Sequence, residues 1–282
     1  MRHLIDITDL SVDEIESILD LADKMKANPA AYRDTMHGRI LATLFFEPST
    51  RTRLSFESAM LSLGGSVLGF SSADTSSATK GESLMDTIHT VSCYCDIIAM
   101  RHPKEGAPMA GTLTSRVPII NAGDGGHQHP TPTLIELLTL RPARGELGHV
   151  TIGMCGDLKF GRTVHSLIGA MSRYPGVEFV LISPPELRVP AYITQKLADD
   201  GIPFREVETM EEVMPELDVL YMTRVQKERF FNEADYIRLK DTYILDPDKL
   251  KTAKPDMAIL PPLPRAPCTL SRCATGVLCV WR

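Results

Sequence analysis

Hydroxyl and guanidinium side chains are concentrated in one short segment of the sequence. The segment EPSTRTR at 47–53 follows the apolar run 40–46 and opens a predicted helix over 51–63. The N–H groups and the positive end of a helix, together with arginine, supply hydrogen-bond donors for phosphate oxygens. An ordinary Ser/Thr cap beside two surface arginines is the alternative, but such a cap requires fewer of these side chains. We therefore predict an anion site at this segment.

Two further basic residues follow predicted strands of the same half. Arg101 comes directly after the apolar run 96–100, and His129 lies in the loop after the run 117–123. Ligands of parallel sheets bind beyond the carboxyl ends of the strands. A single histidine in such a loop would more often be structural, but Arg51, Arg101 and His129 all follow strands. Their shared position predicts that they polarise an oxygen atom of a ligand.

The second half of the chain has arginines at similar places. Arg162 opens a predicted helix over 162–174, and Arg224 follows the apolar run 218–222. Arg162 is therefore predicted to bind an anion. The loop TRVQKER that holds Arg224 is equally compatible with a solvated charged surface. Several arginines at loop ends of an acidic protein nevertheless favour an anionic substrate.

Short apolar runs and helical patterns alternate along the whole chain. The predicted strands are 40–46, 66–70, 96–100, 117–123, 150–156, 179–183, 218–222, 243–246 and 257–260. The predicted helices are 11–27, which starts at the capping box Ser11 to Glu14, and 51–63, 82–92, 131–140, 162–174 and 190–200. Near-continuous apolar strands separated by helices are typical of parallel sheets covered on both faces. We therefore predict an α/β fold of two domains, each a mostly parallel sheet flanked by helices.

A polar segment divides the two series of strands. This segment, RPARGELG at 141–148, has Pro and Gly near its ends and predicts a first domain over 1–140 and a second over 141–265. The remaining residues, 266–282, form a tail of different composition, since they contain no Asp or Glu and three of the six cysteines.

Composition excludes several classes of function. The 282 residues include 30 Lys and Arg against 36 Asp and Glu, a net charge of −6 that argues against nucleic acid or an anionic membrane as partners. No apolar run is long enough to span a bilayer, and the N-terminus does not have the pattern of a signal peptide. The cysteines lack the spacing of a metal site, and we expect Cys93 and Cys95 to be buried in a protein of the reducing cytoplasm.

Six motifs together resemble one known family. The segments FFEPSTRTRLSFE, MRHPKEG, NAGDG..QHPT, GDLKFGRTVHSL, LYMTRVQKERF and PLPR occur in the order and spacing of the catalytic chains of aspartate carbamoyltransferases, over residues 1–265. The resemblance implies transfer of the carbamoyl group of carbamoyl phosphate to the amine of L-aspartate, in pyrimidine synthesis. It also implies a cytoplasmic homotrimer whose active sites lie between chains, without cofactor or metal. Whether a regulatory chain also binds is left open.

The resemblance assigns a role to each matching residue. Thr52, Arg101 and His129 would be catalytic, because they would hold the carbonyl oxygen of carbamoyl phosphate and stabilise the oxyanion. The residues placed at carbamoyl phosphate are Ser49, Thr50, Arg51, Thr52, Arg101, His129, Leu263, Ser76 and Lys80. Those placed at aspartate are Lys80, Arg162, Arg224 and Gln226. The loop 70–83, which holds Ser76 and Lys80, would by itself predict only a flexible surface loop; in the family this loop reaches the neighbouring chain's site.

The sequence departs from the family pattern in three places. Pro132 stands where the family has a glutamine that contacts the carbamoyl group, and Pro261 stands where it has a histidine. The tail 266–282 does not resemble the family's longer ending. Two alternatives are therefore kept: transfer to another amine such as ornithine, and an inactive oligomer-forming homologue. The arginine-rich TRVQKER loop favours a dicarboxylate over a cationic amine.

Overall fold

The computed structural model divides the chain into two compact units, Met1–Leu134 and Ile135–Arg282. It describes residues 1–75, 77–223 and 243–260 and the strand at 278–279. Each unit contains a parallel β-sheet with helices, so the predicted fold class is confirmed. The domain limits 1–140 and 141–265 stay a prediction.

The sheet of the first unit has four parallel strands in the order β2-β1-β3-β4. These strands are β1 (Ile40–Phe45), β2 (Ser66–Phe70), β3 (Ile97–His102) and β4 (Ile119–Asp124). The two faces of β1 are both buried: Ala42 and Leu44 pack in one apolar cluster, and Leu41 packs in another. Burial on both faces explains why the strand is a nearly continuous apolar run.

The helices of the first unit alternate with its strands along the chain. They are α1 (Val12–Ala27), α2 (Thr50–Ser62), α3 (Leu84–Val91) and α4 (Ala107–Thr112), with 3-10 turns at Ile7–Asp9, Pro29–Tyr32, Ala73–Thr75 and Ser77–Lys80. The helix α5 (Pro130–Arg144) begins in this unit, but most of its residues belong to the second unit. The capping box at the start of α1 is confirmed, since Ser11 and Glu14 each accept a backbone N–H of the other. The boundary between the units, after Leu134, falls inside α5.

The sheet of the second unit is also parallel. Its described strands lie in the order β10-β9-β8-β5-β6-β7. They are β5 (Thr151–Cys155), β6 (Glu178–Ile182), β7 (Phe204–Val207), β8 (Val219–Met222), β9 (Ala258–Leu260) and β10 (Leu278–Cys279). The helices are α6 (Arg162–Met171) and α7 (Ala191–Asp199), with 3-10 turns at Pro185–Leu187 and Lys249–Thr252. The tail thus contributes a two-residue strand beside β9.

Several sequence-based expectations are corrected by the structure. The prediction of a strand over 243–246 is wrong. Tyr243 and Leu245 are buried in the core, but the carbonyl of Ile244 accepts the Lys249 ammonium at 2.7 Å and joins no described ladder. The short helix α4 and the strand β7 were not predicted, because α4 has only six residues and β7 exposes Arg205 and Glu206 at its middle.

The prediction that Cys93 and Cys95 are buried is also wrong. Cys93 is exposed and Cys95 is half-buried, because they lie in the turn between α3 and β3, at the surface. Within the described ranges, no helix is long and apolar enough to cross a membrane.

Candidate active site

The segment 47–53 forms the start of α2, directly beyond β1. Ser49 has an extended backbone at the N-cap position, but its side chain makes no capping hydrogen bond within the described residues. Ser49 and Thr52 are half-buried, whereas Thr50 and Arg51 are exposed. Because the hydroxyl of Ser49 does not cap the helix, this first turn differs from an ordinary Ser/Thr cap. It presents donor groups of the kind that bind an anion.

Arg101 lies beside this segment because β3 pairs with β1. Phe45 is the register partner of Arg101, and the backbone N–H of Phe46 donates to the Arg101 carbonyl at 2.9 Å. The Arg101 guanidinium is 2.7 Å from Oε2 of Glu47 and 3.5 Å from the carbonyl oxygen of Ala122. Arg101 is only 8% exposed, so its charge is partly shielded from water. Sequence reasoning missed Glu47 as its partner.

His129 ends the loop between β4 and α5 and is 4% exposed. The loop is held by Asp124, a fully buried carboxylate at the end of β4. It accepts hydrogen bonds from the backbone N–H groups of Gly106 and Gln128, both at 2.9 Å, and lies within 3.2 Å of the His127 ring. These contacts fix the backbone directly before His129.

The electrostatics of this loop follow from the same contacts. Burial acts to raise the pKa of Asp124, but hydrogen bonds from His127, Asn121 and the backbone outweigh it, so that the pKa lies below its usual value. The hydrogen bond to Asp124 in turn raises the pKa of His127. Sequence reasoning missed Asp124. An acidic residue at the end of an apolar strand, inside the glycine-rich turn GDGG, is the signal that could have found it.

The order of the sheet brings Arg51, Arg101 and His129 to one edge. Arg51 follows β1, Arg101 is the second-last residue of β3 and His129 follows β4, and these strands are consecutive neighbours in a parallel sheet. Their carboxyl ends therefore meet at one edge, where such sheets bind ligands. Lys80 is exposed at the end of its 3-10 turn, and Ser76 lies outside the described residues. The assigned roles of all five stay predictions.

In the second unit, Arg162 is the first residue of α6 and is half-buried. The preceding loop is fixed by the buried Asp157, which accepts the Phe160 N–H at 3.0 Å. His165 on the same helix lies 2.8 Å from the Leu158 carbonyl and thereby ties the loop to α6. Arg224, Gln226 and Leu263 lie outside the described residues.

Gly156 allows the ends of β5 and β8 to approach each other closely. Its φ is +116°, and a Cβ atom there would lie 2.5 Å from the Thr223 hydroxyl and 2.7 Å from the Thr223 carbonyl oxygen. The N–H of Thr223 donates to the Cys155 carbonyl at 2.7 Å. Any larger residue at 156 would push Thr223 away, so this glycine is required by the local geometry. The close approach of Thr223 therefore explains why the motif GDLKFGR begins with glycine.

The donor set of the site is suited to anions. Arginine, histidine, hydroxyl and backbone N–H groups all donate hydrogen bonds to phosphate or carboxylate oxygens. Among the described residues, no group of three or more His, Cys, Asp or Glu side chains is arranged to hold a metal ion.

Family models match most of the chain. Residues 2–142 match the aspartate/ornithine carbamoyltransferase carbamoyl-P binding domain, and residues 148–267 match the Asp/Orn binding domain of the same family.

Individual relatives give the same result. The chain is 64% identical over 266 residues to an aspartate carbamoyltransferase catalytic subunit of Lachnoclostridium phytofermentans, covering 94% of this chain and 87% of the relative. It is also 64% identical, over 265 residues, to the subunit of that name from Clostridium acetobutylicum, covering 94% and 86%. A solved aspartate transcarbamoylase of Trypanosoma cruzi with carbamoyl phosphate and aspartate has a TM-score of 0.89 at 35% identity, covering 96% of this chain and 88% of that one. The catalytic subunit from M. jannaschii has a TM-score of 0.87 at 45% identity, covering 96% and 89%.

Proposed function

The chain belongs to the aspartate/ornithine carbamoyltransferase family, and we propose that it transfers the carbamoyl group of carbamoyl phosphate to the amine of L-aspartate. The products are N-carbamoyl-L-aspartate and phosphate, as in the first reactions of pyrimidine synthesis. The observation that carries this proposal is the set of anion-binding side chains, Arg51, Arg101 and His129, at one sheet edge of the first unit, with Arg162 at the start of α6. The names of the close relatives support the same reaction.

The first unit binds and activates carbamoyl phosphate in this proposal. Ser49, Thr50, Arg51 and Thr52 hold the phosphate at the start of α2. Arg101, His129 and the Thr52 hydroxyl donate to the carbonyl oxygen, which polarises the carbon and stabilises the oxyanion of the tetrahedral intermediate. Leu263, Ser76 and Lys80 are further contacts that the motif match supports.

The second unit binds the dicarboxylate. Arg162, Arg224 and Gln226 hold the carboxylates of aspartate, and Lys80 contacts the same substrate. Holding both substrates close together lets the amine nitrogen attack the carbonyl carbon without a further encounter step. A C–N bond forms, the bond from carbon to the phosphate oxygen breaks, and the leaving phosphate accepts the proton that the amine loses.

We propose in addition that the chain acts as a cytoplasmic homotrimer. The exposed position of Lys80 supports a contribution to the site of a neighbouring chain. The size of the purified complex decides whether a regulatory chain also binds. The net charge of −6 supports the absence of nucleic acid and anionic membrane from the set of partners.

A steady-state assay tests the proposed reaction. Carbamoyl phosphate is supplied with aspartate in one series and with ornithine in the other, and the carbamoylated product is quantified. We expect turnover with aspartate, loss of turnover in Arg101→Ala, and none of this loss in Arg205→Ala, whose guanidinium pairs with Glu216 at the surface. If turnover occurs with ornithine and not with aspartate, ornithine is the acceptor. No turnover with either would leave an inactive homologue.

A further inference from the structure

A buried hydrogen-bond cluster lies next to the start of α6. The Tyr221 hydroxyl on β8 is 3.0 Å from Oε1 of Glu136 on α5 and 2.8 Å from Oγ1 of Thr163 on α6. Glu136 is fully buried and Tyr221 is 1% exposed. A phenol has one proton to donate and also accepts through its oxygen, so the Tyr221 hydroxyl can take part in both hydrogen bonds. We call these three residues the Glu136–Tyr221–Thr163 cluster.

The cluster acts at a helix end that has no cap of its own. The N-cap residue of α6 is Gly161, which has no side chain to bind the N–H groups of the first turn. Arg162 and Thr163 are the first two residues of that turn. The hydrogen bond between Thr163 and Tyr221 is therefore a tertiary contact that fixes this turn, which has no N-cap side chain to hold it.

The cost of burying this cluster is balanced only while its hydrogen bonds are made. A buried carboxylate or hydroxyl without a partner is strongly unfavourable. Donors and acceptors that are buried away from water must therefore keep the positions in which their hydrogen bonds are made. Glu136 holds the Tyr221 hydroxyl, and Tyr221 then holds Thr163. The position of the first turn of α6, and with it the backbone of Arg162, is thus set by the Glu136–Tyr221–Thr163 cluster.

We propose that Tyr221 and Thr163 are positioning residues for Arg162, and that Glu136 orients Tyr221. The inference rests on the proposed function, because Arg162 is assigned there to a carboxylate of aspartate. Loss of the Tyr221–Thr163 bond is expected to weaken the binding of aspartate and to leave carbamoyl phosphate, which binds in the first unit, unaffected.

The test compares matched substitutions by steady-state kinetics. Tyr221→Phe and Thr163→Val each delete one hydroxyl with little change of shape. We expect each to raise KM for aspartate roughly three- to tenfold, the range for one neutral hydrogen bond, with KM for carbamoyl phosphate within about twofold of the parent. Thr163→Ser keeps the hydroxyl and is expected to retain the parental KM.

Tyr243→Phe is the matched control in the same unit. The Tyr243 hydroxyl donates to the Glu208 carbonyl at 2.8 Å, and the residue is 7% exposed. This substitution also deletes a hydroxyl of a buried tyrosine, so it reports the effect of lost stability alone. It is expected to lower the melting temperature and to leave both KM values unchanged.

The outcomes separate the inference from the function on which it rests. An unchanged KM for aspartate in Tyr221→Phe and Thr163→Val, or a rise equal to that in Tyr243→Phe, overturns the positioning role while turnover by the parent upholds the proposed function. If Tyr221→Phe does not fold, Thr163→Val against Thr163→Ser decides. If the parent does not turn over, calorimetry with succinate, a dicarboxylate, decides: weaker binding by Thr163→Val than by the parent supports the role, and equal or undetectable binding overturns it.

Discussion

Oε2 of Glu47 lies 2.7 Å from the guanidinium of Arg101, and both side chains are mostly shielded from water, at 27% and 10% exposure. The pairing follows from the β1–β3 register, which sets Phe45 beside Arg101. Arg101 is thus paired with an internal carboxylate at the place where the proposed function requires it to hold the carbonyl oxygen of carbamoyl phosphate. An anionic substrate and Glu47 are expected to compete for the same cation.

This competition predicts the effect of Glu47→Gln. The substitution keeps the shape of the side chain but removes its charge, so Arg101 loses a competing anion. We expect carbamoyl phosphate to bind roughly three- to tenfold more tightly, which corresponds to about 0.7–1.4 kcal/mol. Calorimetric titration of the parent and the variant measures this change. Equal or weaker binding by the variant would show that Glu47 does not compete and instead orients Arg101 for the substrate.

The assignment of the two substrates to the two units predicts separate effects of their arginines. Arg101→Ala is expected to lower the affinity for carbamoyl phosphate at least tenfold, because it removes a shielded charged donor. Arg162→Ala is expected to raise KM for aspartate by a similar factor while calorimetry still detects carbamoyl phosphate at nearly parental affinity. Arg188→Ala, at an exposed arginine near Glu206, serves as the control. Equal loss of both ligands in either variant would contradict the assignment.

The Asp124–His127 contact predicts a pH dependence of stability. The folded pKa of His127 is raised above 6.5, so its contribution is complete below that value and is lost as pH rises through the higher folded pKa. The folded pKa of Asp124 is lowered below 3.8, so its contribution is lost only as pH falls below that range. The pair therefore stabilises the fold most between about pH 4 and 6.5.

Melting temperatures of His127→Gln check this expectation. The difference between parent and variant is expected to be largest at about pH 5.5 and to shrink as pH rises through the raised pKa of His127. His37→Gln, at an exposed histidine of the same unit, is the control. A difference that stays constant over this pH range would exclude a charged pair.

The proposed trimer predicts recovery of activity in mixed assemblies. Lys80→Ala and Arg101→Ala chains are each expected to be nearly inactive alone. If each site takes Lys80 from one chain and Arg101 from its neighbour, random mixing restores both groups in about a quarter of the sites. The measurement is the activity of chains that are denatured, mixed in equal amounts and refolded together. If the activity of the mixture does not exceed the summed activities of the two variants, Lys80 acts within its own chain or lies outside the site.

The sequence was sufficient for the elements whose pattern is set by burial on both faces. The strands β1, β3 and β8 are mostly apolar and buried, and the capping box of α1 is purely local, so both kinds of signal appear in a few adjacent residues. The prediction of a strand over 243–246 failed because Tyr243 and Leu245 are buried in the core without pairing to a strand.

The candidate site likewise contains residues that the sequence predicts and contacts that it does not. Arg51, Arg101, His129 and Arg162 could be named because each follows a strand in the sequence. Glu47 as a partner of Arg101 could not be predicted, because the contact depends on the register between β1 and β3. The link from Glu136 to Tyr221 joins residues 85 positions apart. Contacts of this kind appear only when the sheet order and register are known.

The last prediction concerns Pro132. α5 begins at Pro130 rather than at 131, so Pro132 is the third helical residue, and its missing N–H is one that a helix leaves without an internal partner. The proline is therefore tolerated, but it replaces the glutamine whose amide contacts the carbamoyl group in the family pattern. Pro132→Gln restores that amide and is expected to raise kcat/KM for carbamoyl phosphate roughly three- to tenfold, the value of one hydrogen bond.

Pro142→Ala gives the matched control, because Pro142 lies near the other end of α5. Removing it restores a helical N–H and a better helix former, so we expect a higher melting temperature without a change in kcat/KM. Pro132→Gln is expected to do the reverse, with a faster reaction and little gain in stability. If both variants raise the rate equally, the effect comes from the stability of α5. If Pro132→Gln is no faster than an active parent, the reaction of this chain does not use an amide at position 132.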